Sequence, residues 1–354
     1  MPLSMPLIPF LAAFVVSLVL MPLVIKLSYK IGAVDRPNGR KVHSTTMPRL
    51  GGVAIFLSFG LCLILFFDLP KPFWGMVWGS LIIFLIGVLD DIWEISPGIK
   101  LIGQIAAATA AISSGIVVEF VTNPFNGLLN LGYFSIPLTM LWLVGISNAI
   151  NLIDGLDGLA AGVSGIAGAT MGIIAYFQGQ SLVALAAFLL LAAILGFLPY
   201  NFYPARTFMG DGGSNFLGFI LGCLAIMGTA KSATLISLLV PIVILGIPIF
   251  DTFFAIIRRI YKKAPIFMPD KDHLHHRLMA MGLSHRRSVV IIYMISGFFG
   301  VVAVALNFIH NPKLPLLLIL MLLIIVLGAD RIGMIRTRAK DRVKTTGKPH
   351  KVEL

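Results

Sequence analysis

The chain has 354 residues, of which 58% are hydrophobic and only 12% are charged, and its formal net charge is +12. Because a soluble domain carries about 25% charged residues, this composition excludes an ordinary soluble protein. Long apolar runs without two-residue alternation indicate membrane-spanning helices rather than barrel strands. The sequence therefore predicts an all-α fold, a polytopic helical membrane protein.

Eleven apolar stretches are predicted to span the membrane. They cover residues 4–25, 50–67, 73–89, 100–118, 133–149, 158–177, 181–198, 213–230, 234–257, 288–309 and 312–328. The first stretch has no Lys or Arg before Lys26, which predicts an N-terminus outside the cell and a cytosolic C-terminus. Only three of the 27 Lys and Arg residues then lie outside, as the positive-inside rule requires. We expect residues 1–328 to form one membrane domain and residues 329–354 to form a flexible, basic cytosolic tail.

Two departures from simple spanning helices are also predicted. Asn123-Pro124 and Asn126-Gly127 favour a small hairpin turn in the loop after the fourth span. Pro241 and Pro248 each remove a backbone donor from the ninth span, so we expect that helix to be bent or broken.

The first acidic pair, Asp90-Asp91, lies at the predicted inner end of the third span. Two adjacent carboxylates at a helix C-terminus repel each other and oppose the helix dipole. They are either simple solvated charges or groups that a cation or several hydrogen-bond donors compensate.

A second polar cluster joins the fifth and sixth spans and contains Asn148, Asn151, Asp154 and Asp157. The two aspartates are three residues apart, so at the start of a helix they share one face. An N-cap followed by a first-turn acid is the structural alternative. Such a cap does not require two asparagines and two glycines as well, so we interpret this cluster as part of a site.

A third candidate is Asp211, which lies between Gly210 and Gly212 just before the eighth span. Glycine on both sides permits close backbone approach and positive φ angles. The free N–H groups at the start of the following helix suit a phosphate. A plain turn is the alternative.

The fourth candidate is the histidine loop, where His273, His275, His276 and Arg277 follow residues 270–272 in the largest predicted cytosolic loop. Three histidines within four positions can indicate zinc, but no cysteine is near and the neighbouring Lys and Arg disfavour a cation. Donation from imidazole and guanidinium groups to phosphate or sugar oxygens fits these residues better. A structural amphipathic helix is a further alternative.

Together the clusters supply many carboxylate oxygens and cationic donors but no thiolate. Hard oxygen ligands favour Mg²⁺ or Mn²⁺, which commonly bridge carboxylates and substrate phosphates. The sequence thus favours metal-assisted phosphoryl transfer at a membrane surface, between a nucleotide derivative and a lipid. A secondary transporter is the rival class, for which Asp251 in the ninth span is the best evidence, but transporters place ionisable groups near the bilayer midplane.

These four motifs, in this order, resemble those of the polyprenyl-phosphate N-acetylhexosamine-1-phosphate transferases, of glycosyltransferase 4 type. The likeness covers nearly the whole chain, from Arg49-Leu50-Gly51-Gly52 onward. His273-Leu274-His275-His276 is similar to the branch that uses UDP-N-acetylglucosamine (UDP-GlcNAc) and undecaprenyl phosphate. The alternative branch, the phospho-N-acetylmuramoyl-pentapeptide transferases of peptidoglycan synthesis, typically has three consecutive histidines there and Pro-Thr-Met-Gly-Gly where this chain has Pro48-Arg49-Leu50-Gly51-Gly52.

The resemblance implies transfer of GlcNAc-1-phosphate from UDP-GlcNAc to undecaprenyl phosphate, with release of UMP and a requirement for Mg²⁺ or Mn²⁺. This reaction would prime a cell-envelope polysaccharide such as teichoic acid or O-antigen. The family also implies a multi-pass protein of the cell membrane with a cytosolic active site and no nucleic-acid partner. Homodimers are common in it.

The resemblance further implies roles for individual residues. Asp211 would bind the metal together with Asp91. The pair Asp90 and Asp91 would face the lipid phosphate, with Asp90 as the proposed base. Asp154, Asp157 and Asn151 would support the metal and nucleotide region. Asn201 and Phe208 would contact the uracil. The sugar diphosphate would be bound by Lys271, His273, His275, His276 and Arg277.

Overall fold

The computed structural model describes residues 6–37, 45–123, 127–229, 239–261 and 273–308. Over these ranges the chain is almost entirely helical. The helices are α1 (Leu7–Ile31), α2 (Gly52–Phe66), α3 (Lys71–Trp93), α4 (Pro97–Ser113), α5 (Ser135–Ile153), α6 (Leu159–Phe177), α7 (Ser181–Asn201), α8 (Gly210–Thr229), α9 (Leu239–Ile244), α10 (Gly246–Tyr261), α11 (Leu274–Ala280) and α12 (His285–Phe308). The strands are β1 (Val34–Asp35), β2 (Met47–Pro48), β3 (Phe120–Asn123) and β4 (Gly127–Asn130), which pair antiparallel as β1–β2 and β3–β4.

Seven of the described helices are long and apolar enough to cross a membrane. They are α1, α3, α5 (with the turn before it), α6, α7, α8 and α12. Helix α1 presents Leu11, Val15 and Val19 outward, each about half exposed or more, as a surface that faces lipid would. The predicted class, a polytopic helical membrane protein, is confirmed. The count of eleven spans and the orientation stay predictions, and residues 312–328 and 329–354 lie outside the described residues.

Both predicted departures from simple helices are confirmed. Strand β3 pairs with β4 from Phe120–Asn130 to Asn123–Gly127, which is the hairpin expected after the fourth span. The ninth span is divided into α9 and α10 at Leu245. Pro248 cannot donate the N–H that would bond to the carbonyl of residue 244, so the helical ladder is interrupted there.

Helix α8 is the central element of the bundle and packs against α2, α3, α5, α6 and α7. Its glycine-rich beginning lies directly against neighbouring backbones. A Cβ added at Gly87 in α3 would lie 2.5 Å from the Cα of Gly212, and one added at Gly52 in α2 would clash with Gly213. Glycine at these crossings therefore lets α2 and α3 hold the first turn of α8 in place.

The ends of the central helices converge on one end of the bundle. The C-terminal ends of α3, α5 and α7 lie beside the N-terminal ends of α2, α4, α6 and α8, as the hydrogen bonds between them show. Antiparallel helices joined by short loops must bring alternate ends together. This geometry gathers polar residues that are far apart in the sequence.

Candidate active site

A cluster of three carboxylates and two cations lies where α3, α4 and α8 meet. Asp90 and Asp91 end α3 and are only 6% and 5% exposed, so they are not simple solvated charges. Lys100, in the first turn of α4, forms an ion pair with Asp90, and its Nζ lies 2.8 Å from Oδ2 of Asp211. A guanidinium nitrogen of Arg49 lies 3.4 Å from Oδ1 of Asp91 and 3.8 Å from Oδ1 of Asp211. The cations compensate the acidic pair at close range.

Asp91 caps the N-terminus of α8. Its Oδ1 accepts the Asp211 N–H at 2.9 Å and its Oδ2 accepts the Gly212 N–H at 3.0 Å. The first N–H groups of a helix lack partners within the helix and carry its positive dipole end, so a carboxylate there is stabilising. Gly210 has φ of +76°, and a Cβ at this position would clash with Asp91 and with the Arg49 carbonyl. Only glycine fits at this position.

A cleft of about 530 Å³ opens beside the carboxylate cluster. Seven of the predicted site residues line it: Asn151, Asp154, Asp157, Asn201, Phe208, Asp211 and His276. Five others are not among the residues that line it: Asp90, Asp91, His273, His275 and Arg277. Lys271 lies outside the described residues. The structure thus brings residues from all four motifs to one place, with Asp211 as the acid of the cluster that reaches the cleft.

Asp157 and Asn201 also line the cleft. Oδ2 of Asp157 accepts the Ala205 N–H at 2.9 Å, and the Asp157 N–H donates to Nε2 of His285 at 2.9 Å. The Asn201 amide accepts the Gly158 N–H at 3.1 Å and donates to the Thr207 carbonyl at 3.0 Å. Asn201 is 2% exposed, so it joins the loop after α7 to the start of α6 and shapes the wall.

Asp154 lines the cleft just after the end of α5. In the described part of the chain its carboxylate has no hydrogen-bond or ion-pair partner. Burial raises the pKa of Asp154 to about 7, and the negative charges of Asp211 and Asp157 add to that increase. A carboxylate held so unfavourably beside a second one is a place where a cation would be stabilising.

The carboxylate oxygens of the cleft fit a hard divalent cation whose remaining ligands come from the substrate. No group of three or more His, Cys, Asp or Glu side chains in the described ranges is arranged to hold a metal by itself. Asp211 and Asp154 nevertheless offer carboxylate oxygens to the cleft. Mg²⁺ keeps several waters and is usually held by one or two carboxylates plus substrate phosphates. The residues that line the cleft therefore fit Mg²⁺ or Mn²⁺.

An amide cluster lies behind the beginning of α8. Nε2 of Gln104 donates to Oδ1 of Asn148 at 3.2 Å and to Oδ1 of Asn215 at 3.1 Å. Asn215 in turn donates to the Asp211 carbonyl at 2.8 Å. Asn151 donates to the Ser214 hydroxyl at 2.9 Å. These side chains join α4, α5 and α8, so they fix the backbone that carries Asp211.

The histidine loop forms α11, which lies over the cleft. Asp251 of α10 holds its beginning, because Oδ2 lies 2.8 Å from Nδ1 of His273 and Oδ1 accepts the Leu274 N–H at 2.8 Å. His275 is buried, and burial lowers its pKa to about 3, so this imidazole is neutral. His276 packs against His275 with ring centroids 4.2 Å apart and reaches the cleft.

Sequence reasoning missed several residues of this site. In the sequence, Lys100 contributed only a positive charge to the topology. Its ion pairs with Asp90 and with Asp211, which is 111 residues away, appear only in the structure. Gln104 gave one signal, an amide inside an apolar run. Asp251 was the best evidence for a transporter, but it bonds to the histidine loop instead. Tyr203 and His285 gave no signal, and their rings pack 4.7 Å apart in the cleft wall.

Known proteins are similar to this chain over most of its length. Residues 73–229 match the family model for glycosyl transferase family 4. A Bacillus subtilis (strain 168) protein named "Probable undecaprenyl-phosphate N-acetylglucosaminyl 1-phosphate transferase" is 44% identical over 95% of both chains. The "Decaprenyl-phosphate N-acetylglucosaminephosphotransferase" of Mycobacterium tuberculosis (strain ATCC 25618 / H37Rv) is 33% identical over 81% of this chain and 78% of its own length. The "Undecaprenyl-phosphate alpha-N-acetylglucosaminyl 1-phosphate transferase" of Escherichia coli (strain K12) is 30% identical over 84% and 83%.

Proposed function

This chain belongs to glycosyl transferase family 4, and from that premise we propose that it transfers GlcNAc-1-phosphate from UDP-GlcNAc to undecaprenyl phosphate. The products are undecaprenyl-diphosphate-GlcNAc and UMP. This step primes a cell-envelope polysaccharide such as teichoic acid or O-antigen. The relatives' names support the donor sugar, and none of those quoted above names a muramyl-pentapeptide substrate.

The observation that carries the proposal is the placement of the carboxylate cluster at one end of an apolar bundle, open to a cleft. A lipid phosphate reaches such a position from the membrane, while a nucleotide sugar reaches it from water. The acids lie at helix ends rather than at mid-span, which favours chemistry at the membrane surface over transport. We place this end of the bundle on the cytosolic side of the cell membrane, where the basic loops are expected.

The charges of the cluster explain why a divalent cation is part of the proposal. In the described ranges, the cations paired with Asp90, Asp91 and Asp211 are Arg49 and Lys100. A diphosphate and a phosphate monoester would bring several more negative charges to the same cleft. When bound at Asp211 and Asp154, Mg²⁺ or Mn²⁺ would neutralise charge on the reacting phosphates. Arg49 and Lys100 are the two cationic side chains of the cluster, and both are partly exposed, so they can turn toward a phosphate.

The donor would lie along the cleft. Phe208, Asn201 and Asp157 line it, and we assign them to the uridine. His276 lies over the cleft on α11, and we assign it, with Arg277 beside it in the same helix, to the sugar diphosphate. The β-phosphorus would then lie near Asp211, at the side from which the lipid phosphate approaches.

We propose a single displacement at the β-phosphorus. An oxygen of undecaprenyl phosphate forms the new P–O bond, and the bond from the β-phosphorus to the bridging oxygen breaks, so that UMP leaves with that oxygen. A phosphate monoester has a second pKa near 6, so the attacking group is already mostly a dianion at pH 7 and needs little help from a base. Asp90 is buried and ion-paired with Lys100, which suits positioning of that lysine better than nucleophilic attack.

The test is release of UMP by the purified protein with UDP-GlcNAc, undecaprenyl phosphate and Mg²⁺. We expect UMP and lipid-linked GlcNAc in equal amounts, and no UMP when the lipid phosphate is omitted. Undecaprenol is the matched control acceptor, because it has the same chain without the phosphate. Activity with UDP-N-acetylmuramoyl-pentapeptide and none with UDP-GlcNAc would contradict the proposed donor.

The single-displacement mechanism has its own test. Incubation with UDP-GlcNAc alone, followed by acid quench and intact-mass measurement, should show no added phosphosugar on the protein. A covalent phosphosugar on Asp90 or Asp91 would refute direct attack while leaving the overall reaction in place.

A further inference from the structure

Asp251 is a buried carboxylate that the reaction outlined above does not use. It lies in α10 just after the break in the ninth span, and it is 2% exposed. Both of its oxygens are engaged with the beginning of α11. Oδ2 lies 2.8 Å from Nδ1 of His273, and Oδ1 accepts the Leu274 N–H at 2.8 Å. Asp251 therefore joins the broken span to the histidine loop.

His273 is itself hidden from the cleft. It is 5% exposed and is not among the residues that line the cleft. Its ring is parallel to that of His275, with centroids 5.9 Å apart and an interplanar angle of 2°. His275 in turn contacts His276, which does line the cleft. A continuous row of rings thus runs from Asp251 to the cleft.

The position of this row is further restricted by the opposite wall. A Cβ added at Gly155 would lie 2.5 Å from Nε2 of His275, so the buried imidazole packs directly on the glycine backbone. The row of rings is therefore confined between Asp251 on one side and Gly155 on the other. A shift of His273 would displace His275 and His276 as well, because close-packed groups move together.

We infer that Asp251 is a positioning residue, which acts through His273 to hold α11 so that His276 faces the donor in the cleft. This inference rests on the proposed function for the identity of the donor. It assigns His273 a role in orientation rather than contact with the sugar diphosphate. Of these three histidines, His276 then contacts the substrate, while His273 and His275 hold His276 in position.

The first test is the kinetics of Asp251→Asn, which keeps the shape of the side chain and removes the charge that His273 meets. We expect kcat/KM for UDP-GlcNAc to fall by about 100-fold, the loss typical of a misplacement near 1 Å. The loss should come through KM for UDP-GlcNAc, while KM for undecaprenyl phosphate stays within about twofold. Asp68→Asn is the matched control, since Asp68 is exposed at the opposite end of the bundle. Wild-type kinetics in Asp251→Asn, or equal losses for both substrates, would overturn the inference.

The second test separates orientation from substrate contact at His273. In His273→Asn the side-chain amide can donate to Asp251 from nearly the position of Nδ1, whereas His273→Ala cannot. We expect His273→Asn to retain kcat/KM within about fivefold of wild type, and His273→Ala to resemble Asp251→Asn. The double variant Asp251→Asn/His273→Ala should be no worse than the poorer single variant, because both changes break one interaction. Equal loss in His273→Asn and His273→Ala would overturn the inference, and so would additive losses in the double variant.

The third test does not depend on turnover. Amide hydrogen exchange over Leu274–Ala280, in the full-length protein without substrate, should be at least about tenfold faster in Asp251→Ala, because the first N–H of α11 loses its acceptor. Asp68→Ala should not change it. If the wild-type protein shows no transfer with UDP-GlcNAc but exchange is faster in Asp251→Ala, the proposed function is refuted and the role of Asp251 in holding α11 stands. Unchanged exchange would refute the role of Asp251.

Discussion

Replacement of Asp91 by Asn distinguishes a helix cap from a metal ligand. The two oxygens of Asp91 accept the N–H groups of Asp211 and Gly212, and the side chain is 1% exposed. An asparagine can accept one of these bonds, but its NH₂ group faces the other N–H. One buried backbone donor then lacks a partner, which costs about 1–3 kcal/mol. Loss of the charge beside Arg49 and the α8 dipole adds about 0.5 kcal/mol.

The expected loss of stability is therefore about 1.5–3.5 kcal/mol, which corresponds to a fall in the melting temperature of roughly 2–5 °C for a chain of this length. The measurement is thermal unfolding of the purified protein in detergent, with Asp68→Asn as the control for loss of an exposed charge. We also expect kcat to fall, since the first turn of α8 carries Asp211. The Mg²⁺ concentration for half-maximal rate should stay within about twofold, because backbone donors already occupy both Asp91 oxygens.

The opposite result would refute this reasoning. If Asp91 binds the metal directly, as the family resemblance implies, Asp91→Asn should raise the half-maximal Mg²⁺ concentration by about tenfold or more. The melting temperature without metal would then change little. That combination would show that Asp91 binds the metal and contributes little to the stability of the start of α8.

Three further predictions test other parts of the site. Asp211→Asn should abolish UMP release, and near-normal turnover with unchanged Mg²⁺ binding would remove Asp211 from the metal role. Gly87→Ala should destabilise the protein by about 1–3 kcal/mol in thermal unfolding, because its Cβ would lie 2.5 Å from the Cα of Gly212. Gly60→Ala is the control, since a Cβ there has nothing within 4 Å, and it should be neutral or slightly stabilising. The pKa of Asp154 is raised to about 7 in the folded protein, well above the value near 4 in the unfolded chain. Ionisation of this carboxyl therefore lowers the stability of the folded protein as the pH rises from about 4 to above 7. Asp154→Asn should therefore raise the melting temperature at pH 8 and leave it unchanged at pH 4 in metal-free buffer, and an equal effect at both pH values would contradict that pKa.

Much of the architecture could be predicted because it depends on local sequence. Apolar runs of sufficient length form helices in lipid whatever their neighbours are, since every backbone group must be satisfied within the segment. The break near Pro248 and the hairpin between Phe120 and Asn130 follow from chain geometry alone. Successive spans also run in opposite directions, so the sequence placed the acidic motifs together at one end of the bundle without giving any distance between them.

The partners of each charge could not be predicted in this way. Asp91 bonds to backbone 120 and 121 residues away, and Lys100 bonds to Asp211 across 111 residues. Sequence shows that an ionisable group is present, but whether a cation, a helix terminus or water surrounds it depends on how helices pack. Asp251 is an example: a carboxylate inside an apolar span was the best evidence for the rival transporter class, and in the structure it contacts His273.

The sequence by itself determined that this protein is a bundle of membrane helices with its acidic and histidine motifs at one end, because hydrophobicity and chain reversal act locally. Only the tertiary structure decided which of those residues face the cleft. Asp211, Asp154 and His276 do, while Asp91 caps α8 and His273 bonds to Asp251. The physical reason is that a buried charge is stable only beside a group that compensates it, and the packing of distant segments determines which group lies there.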